Sequence, residues 1–524
     1  MSKKSRDTEL HNKHLPVANT RKKDYIRTTF CLEHPVHVTT SQQNHRLEND
    51  NTKFTMNKTR LFGCFAAALL LSAGATAQEN KGGIDAQMLQ ELKASYAPTG
   101  AEKALQNVML ANSVKVLSVN QENLNEMDTH FSHSVNSKGI TDQKSSGRCW
   151  LFTGMNVLRA KMIANENLGA FEFSQVYNFF FDQLEKSNLF LQGVIDTRKA
   201  PYDDRTVEWL FKHPLSDGGT FTGVADLIAK YGIVPKGVMK ESYTSDNTAA
   251  FSALLTTKLR EFGLELRTAH ENGAKEKKLL EMKKEQLKVV YKMLAQVYGV
   301  PPTEFTWAPK DANGKYREEP QKYTQKSFYE KYLNINLQDD YVMLMNDPTR
   351  PYWKSYEIEY DRHLYDGHNW LYINLPLDEI KKMAIASIKD STMMYFSCDV
   401  GKFLDSKRGT LDINNYNYGE LFGIEFGMDK RQRVMTFDSG SSHAMTLKAV
   451  DLDKAGNPVK WQVENSWGAS SGFHGTLIMT DEWFNEYMFR LVVDKKYVPE
   501  NVLKVLNEKP TMLPAWDPMF MPEE

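Results

Sequence analysis

The sequence predicts an α+β fold of two lobes, helical in its first part and stranded in its last, with large helical insertions and a site at the seam. Three observations carry this. A run of helical apolar spacing starts at Cys149, a long charged helix-favouring stretch fills about 250–300, and alternating apolar residues recur from His443 to Met479.

Beyond Cys149, the positions Leu151, Met155, Leu158 and Met162 share one helical face, with Asn156 and Arg159 between them. That spacing predicts a mostly buried helix with the cysteine at its N-terminus. Residues 173–189 form a second long helical stretch, and a third ends at Tyr231-Gly232, a helix stop. Within 250–300, Leu279, Met282, Leu287, Val290, Met293 and Leu294 predict an amphipathic helix closed by Pro301-Pro302. Glutamates interleave its lysines, which reads as a solvated face rather than a nucleic-acid surface. Cys398 follows the apolar run 393–396 and reads as a buried strand residue. Strands are then expected over 443–450, at 461–463 after a Gly456-Asn457 turn, and at 476–479.

The first 77 residues differ from the rest. Residues 56–60 are basic, 61–72 are apolar, and Ala75-Thr76-Ala77 forms a small-residue cleavage site. This pattern is a secretory signal peptide, too short in its apolar run to span a bilayer. Residues 1–55 are polar and without periodicity, so translation is expected to start at Met56, with 1–55 a non-native upstream extension. The mature chain 78–524 would be periplasmic or secreted, with no membrane contact after cleavage. Of 65 Lys and Arg and 66 Asp and Glu, residues 1–77 hold 12 and 6, leaving the mature chain a net charge of −7. An acidic protein is a poor partner for a phosphate backbone, so no nucleic-acid binding is expected. Only Cys149 and Cys398 remain after cleavage, and a bridge between them would consume the nucleophile. Both are read as thiols, and a large core must hold the fold in place of disulfides.

The chemistry lies in four residues. Gln143, Cys149, His443 and Asn465 occur in the order a thiol hydrolase needs. Cys149 is the candidate nucleophile, and unpaired N–H groups at a helix start favour its thiolate. His443 is the candidate base and acid, Asn465 orients it, and Gln143 supplies an oxyanion donor together with the Cys149 N–H. His474 is a competing base. Gly218-Gly219 by itself reads as a turn.

The runs Q-K-S-S-G-R-C-W-L-F (143–152), F-S-Q-V-Y-N-F-F-F-D-Q-L-E-K-S-N (173–188), D-G-G-T-F, A-K-Y-G-I-V-P-K, C-D-V-G-K, H-A-M-T and L-P-A-W-D-P-M appear in this order. In them the chain resembles the bleomycin hydrolase and aminopeptidase C family of papain-like cysteine peptidases, from about Leu92 to the C-terminus. Two departures stand out. Ser146 occupies the first Cys of the papain-like C-G-[SA]-C-[WY] signature, and His443 and Asn465 come 294 and 316 residues after Cys149, against about 130–150 in papain and cathepsins. A large insertion therefore separates nucleophile and base.

The resemblance implies a papain-like fold, a cysteine aminopeptidase acting on peptides, no metal or cofactor, and a homohexamer built partly through helical insertions. It implies that Trp467 shields the His443–Asn465 hydrogen bond and that Gly218 and Gly219 meet an extended substrate. It also implies that a C-terminal arm, about 511–524, lies in the cleft with the terminal carboxylate of Glu524 facing the substrate's amine. Here the tail ends F-M-P-E-E, bulkier and more acidic than the small-residue ending the family suggests. A broader thiol endopeptidase and a non-catalytic oligomeric scaffold are the alternative readings.

Overall fold

The computed structural model describes residues 82–124 and 128–520, which fall into two units, Met1–Ala97 and Pro98–Glu524. Residues 1–55, the signal-peptide segment 56–77 and Glu524 lie outside the described residues. In the first unit, the helix Ala86–Ser95 is capped by the Asp85 side chain and buries none of its side chains.

In the second unit, α1 (Cys149–Asn165) begins at the cysteine, as its spacing predicts. It is buried around almost its whole circumference, so a single apolar stripe understates it. Asn156 and Arg159, polar spacers in the sequence, are buried too. Asn156 Nδ2 donates to Thr141 Oγ1 at 2.9 Å, and Arg159 pairs with Glu464. The second helix, α2 (Gln175–Asp196), starts where the Ser174 side chain accepts the Tyr177 N–H, and it runs past Leu189. The third, α3 (Phe221–Tyr231), stops at Gly232, whose φ of +71° suits glycine.

The charged stretch forms two helices, α4 (Ala249–Glu271) and α5 (Glu276–Tyr298), separated by Gly273 at φ +89°. The first carries its own buried stripe of Phe251, Leu255, Leu259, Phe262 and Leu266. Leu279, Val290 and Leu294 of the second join the same core cluster as Cys149. Both helices pack on α2, so their apolar faces are buried within the chain.

The strands are β1 (Tyr341–Met345), β2 (Lys354–Ile358), β3 (Leu371–Asn374), β4 (Met394–Cys398), β5 (His443–Leu452), β6 (Pro458–Glu464), β7 (Thr476–Thr480), β8 (Met488–Asp494) and β9 (Thr511–Leu513). They form one mixed sheet in the order β9-β2-β3-β1-β8-β4-β5-β6-β7, continued by two short strands. Cys398 is buried on β4, directly opposite His443 on β5. A second core of Trp461, Trp483, Phe484 and their neighbours fills the strand half, distinct from the helical core. The predicted α+β layout thus resolves into a helical and a stranded half.

Candidate active site

The loop before α1 is fastened by side chains. Arg148, its N-cap residue, is fully buried; its Nε donates to Ser146 Oγ at 2.9 Å and its Nη1 to Glu241 at 2.7 Å. Ser146 Oγ in turn donates to the Gln143 carbonyl at 2.5 Å. Where the family signature has a cysteine, a hydroxyl here ties the Gln143 turn to Arg148.

Two hydrogen bonds tie adjacent residues of β5, one to the thiol and one to Asn465. The Ala444 N–H donates to Cys149 Sγ at 3.4 Å, setting the first residues of β5 against the helix start. His443 Nε2 lies 2.9 Å from Asn465 Oδ1, and that oxygen also accepts the Ser466 N–H at 2.8 Å. An oxygen already accepting from a backbone N–H faces the ring as an acceptor, so Nε2 carries the hydrogen and Nδ1 is the basic nitrogen of the neutral ring. The Trp467 ring lies 4.9 Å from the His443 ring, tilted by 33°.

Gln143 bridges the two halves. Its N–H donates to the Ser466 carbonyl at 2.7 Å, its Oε1 accepts from Ser466 Oγ at 2.6 Å, and its Nε2 donates to the Ser146 carbonyl at 2.6 Å. One hydrogen of Nε2 is used in that last bond, and the amide plane is set by the two side-chain bonds. Gln143, Cys149, His443 and Asn465 are all buried. His474 is solvent-exposed, with its ring against Phe473, and takes no part in this cluster.

Gly218 and Gly219 follow Asp217, whose carbonyl accepts the indole N–H of Trp150 at 2.8 Å. Beneath them lie three residues that the sequence reading missed. Lys186 Nζ is 2.6 Å from the Gly218 carbonyl, and Asp182 and His363 are paired at 2.5 Å. Asp182 and Lys186 are four apart in a helical run, a legible pair; His363 has no local signal.

A cavity of about 590 Å³ adjoins the site, lined among others by Lys186, Gly218, Gly219, His363, Trp516 and Phe520; Cys149 and His443 are not in its wall. The C-terminal segment reaches it by way of β9, which pairs with β2. The Asp517 carboxylate meets Arg350 Nη2 at 3.0 Å, and the Met519 carbonyl accepts Arg490 Nη2 at 2.7 Å. Among the described residues no group of three or more His, Cys, Asp or Glu side chains is placed to hold a metal ion. No described helix is long and apolar enough to cross a membrane.

This geometry has close relatives. The chain is 39% identical to bleomycin hydrolase of Homo sapiens over 426 residues, 79% of this chain and 93% of that protein. It is 36% identical to aminopeptidase C of Streptococcus thermophilus over 433 residues, 82% and 97% of the two chains. The crystal structure of PepW from Lactobacillus rhamnosis superposes with a TM-score of 0.81 at 35% identity, covering 84% of this chain and all of that one. The description of the Peptidase C1-like family matches residues 83–520. The chain therefore belongs to the Peptidase C1-like family, in the bleomycin hydrolase and aminopeptidase C branch of papain-like cysteine peptidases.

Proposed function

We propose that this protein is an exported cysteine aminopeptidase that removes N-terminal residues from peptides. The observation that carries the chemistry is a pair of bonds at adjacent residues of β5: His443 Nε2 to Asn465 Oδ1, and Ala444 N–H to Cys149 Sγ. With Nε2 occupied, His443 Nδ1 takes the thiol proton and the Cys149 sulfur attacks the peptide carbonyl carbon. Negative charge then develops on the carbonyl oxygen, where the Cys149 N–H and the second hydrogen of Gln143 Nε2 receive it. The imidazolium gives its proton to the leaving amine, and water, deprotonated by the same ring, releases the acyl group and restores the thiol. Trp467 keeps water from the His443–Asn465 bond.

Restriction to N-terminal residues is supported by the tail. It lines the cavity beside Gly218 and Gly219 as far as Phe520, and likeness to the family supports a terminal carboxylate, that of Glu524, as the partner of the substrate's ammonium group. Gly218 and Gly219 offer their backbone to the substrate. Export rests on the segment 56–77, and assembly as a homohexamer on likeness to the family.

The decisive test uses residues 78–524, with Cys149→Ala as control, on an aminoacyl-fluorogenic substrate and its N-acetylated twin. Cleavage of the free-amine substrate alone, absent in the control, is expected. Equal cleavage of both would make the protein an endopeptidase, and cleavage of neither a scaffold.

A further inference from the structure

Three charged or titratable side chains, Asp182 and His363 buried and Lys186 nearly so, lie beneath the Gly218-Gly219 turn, outside the cysteine–histidine–asparagine cluster. Asp182 on α2 is fully buried, and such a carboxylate needs partners. Lys186, one turn later, places Nζ 2.9 Å from Oδ2, and His363 places Nδ1 2.5 Å from Oδ1. Burial works to raise the Asp182 pKa, but the Lys186 charge and the hydrogen bonds from His363 and Lys186 outweigh it and hold the carboxyl below its usual range. Burial, then the Lys186 charge, pushes the His363 pKa down, which keeps the ring neutral. A neutral ring donating from Nδ1 accepts at Nε2, and the Thr220 N–H points there at 3.3 Å.

All three act on one stretch of backbone. Lys186 Nζ reaches the Ser216 carbonyl at 3.0 Å and the Gly218 carbonyl at 2.6 Å, while His363 takes the Thr220 N–H. With Trp150 on the Asp217 carbonyl, three successive carbonyls are engaged. A Cβ on Gly219 would sit 2.2 Å from His363 Cε1 and 2.8 Å from Trp150 Cδ2, so the ring packs directly under the turn. The nucleophile's neighbour Trp150 is the link to the thiol, its ring 4.6 Å from that of His363. Hydrophobic residues of similar volume would often serve stability as well or better, so a buried ionic set calls for another role.

We propose that Lys186, Asp182 and His363 are positioning residues that hold residues 216–220 as the cleft wall on which a peptide backbone is laid. They act on substrate binding and not on the reactivity of the thiol. This rests on peptides being the substrate of the Cys149 site.

The test compares Lys186→Met, Lys186→Arg and His363→Asn in residues 78–524. His363→Asn keeps a donor for Asp182 and removes the acceptor for Thr220. The readouts are KM and kcat on an aminoacyl-fluorogenic substrate, Kd for an unlabelled tripeptide on the Cys149→Ala background, and the rate at which iodoacetamide alkylates Cys149. Lys186→Met and His363→Asn should raise KM and Kd about tenfold while kcat and alkylation stay within about twofold, and Lys186→Arg should recover most of the loss. Unchanged KM and Kd, or an alkylation rate falling in step with them, would overturn the proposal. Should Lys186→Met not fold because Asp182 is left bare, the neutral pair Asp182→Asn/Lys186→Met takes its place. A wild-type chain that cleaves nothing would count against the functional reading, and the Kd comparison would still decide this one.

Discussion

Arg159 on the nucleophile's helix and Glu464, the residue before Asn465, form a buried ion pair at 2.5 Å. Arg159 Nη2 also reaches the Gly139 carbonyl at 3.1 Å, and the Ser137 hydroxyl donates to Glu464. The helix that begins at Cys149 and the strand that leads into Asn465 are thereby held together. Removing one partner leaves the other charged and unsolvated. Arg159→Met should cost about 3–5 kcal/mol in urea unfolding, and adding Glu464→Gln should recover part of it. A loss below about 1 kcal/mol would mean that Glu464 is relieved by other groups.

Gln143 offers a sharper test of the chemistry. Its amide is fixed by Ser146 and Ser466, so Gln143→Ala removes a preset donor. The expected result is a fall in kcat of about 10²–10³ with little change in KM. A variant that keeps its kcat would remove Gln143 from the oxyanion site.

Lys430 gives the protein a pH dependence. It is buried, with Asn346 Oδ1 at 2.7 Å and the Met488 carbonyl at 2.6 Å around its Nζ. Burial nonetheless pulls its pKa from 10.5 down to about 7. The unfolded chain retains this proton up to about 10.5, so between those values it binds more protons than the folded chain and stability rises with pH. The contribution is fully present above 10.5 and is lost as pH falls through 7. Across that window, the unfolding free energy of wild type should climb relative to Lys430→Met by a few kcal/mol, on the order of one unit of pKa per 1.4 kcal/mol. Parallel pH curves would refute it.

The anchored tail makes a prediction about specificity. Asp517 joins Arg350, which also holds Asp347 at 2.7 Å, and the Asp517 carboxylate accepts the Met519 N–H at 3.0 Å. Asp517→Ala releases both bonds close to the end of the chain. Cleavage of an N-acetylated substrate should then rise relative to its free-amine twin by about tenfold. An unchanged ratio would show that the tail is held in place without Asp517.

By itself the sequence singled out the candidate site residues and determined much of the local structure. Cys149 opens a helix because apolar residues recur behind it at helical spacing, and Gly232 ends another because only glycine takes its backbone angle without strain. His443 and Asn465 fall on and just after strands that alternation made legible. The charged stretch was readable as helical but not as two helices, since its first half carries a buried stripe that the second half's pattern obscured. Only the tertiary structure decided where the polar residues go. Arg159 and Asn156 looked like spacers on a helix face and are buried because α1 has neighbours on almost every side. His363 reaches Asp182 across 181 residues, and nothing local to either predicts the other. Helical and strand periods record which side of an element meets a core; a buried charge records its partner, and that partner is set by how distant segments pack.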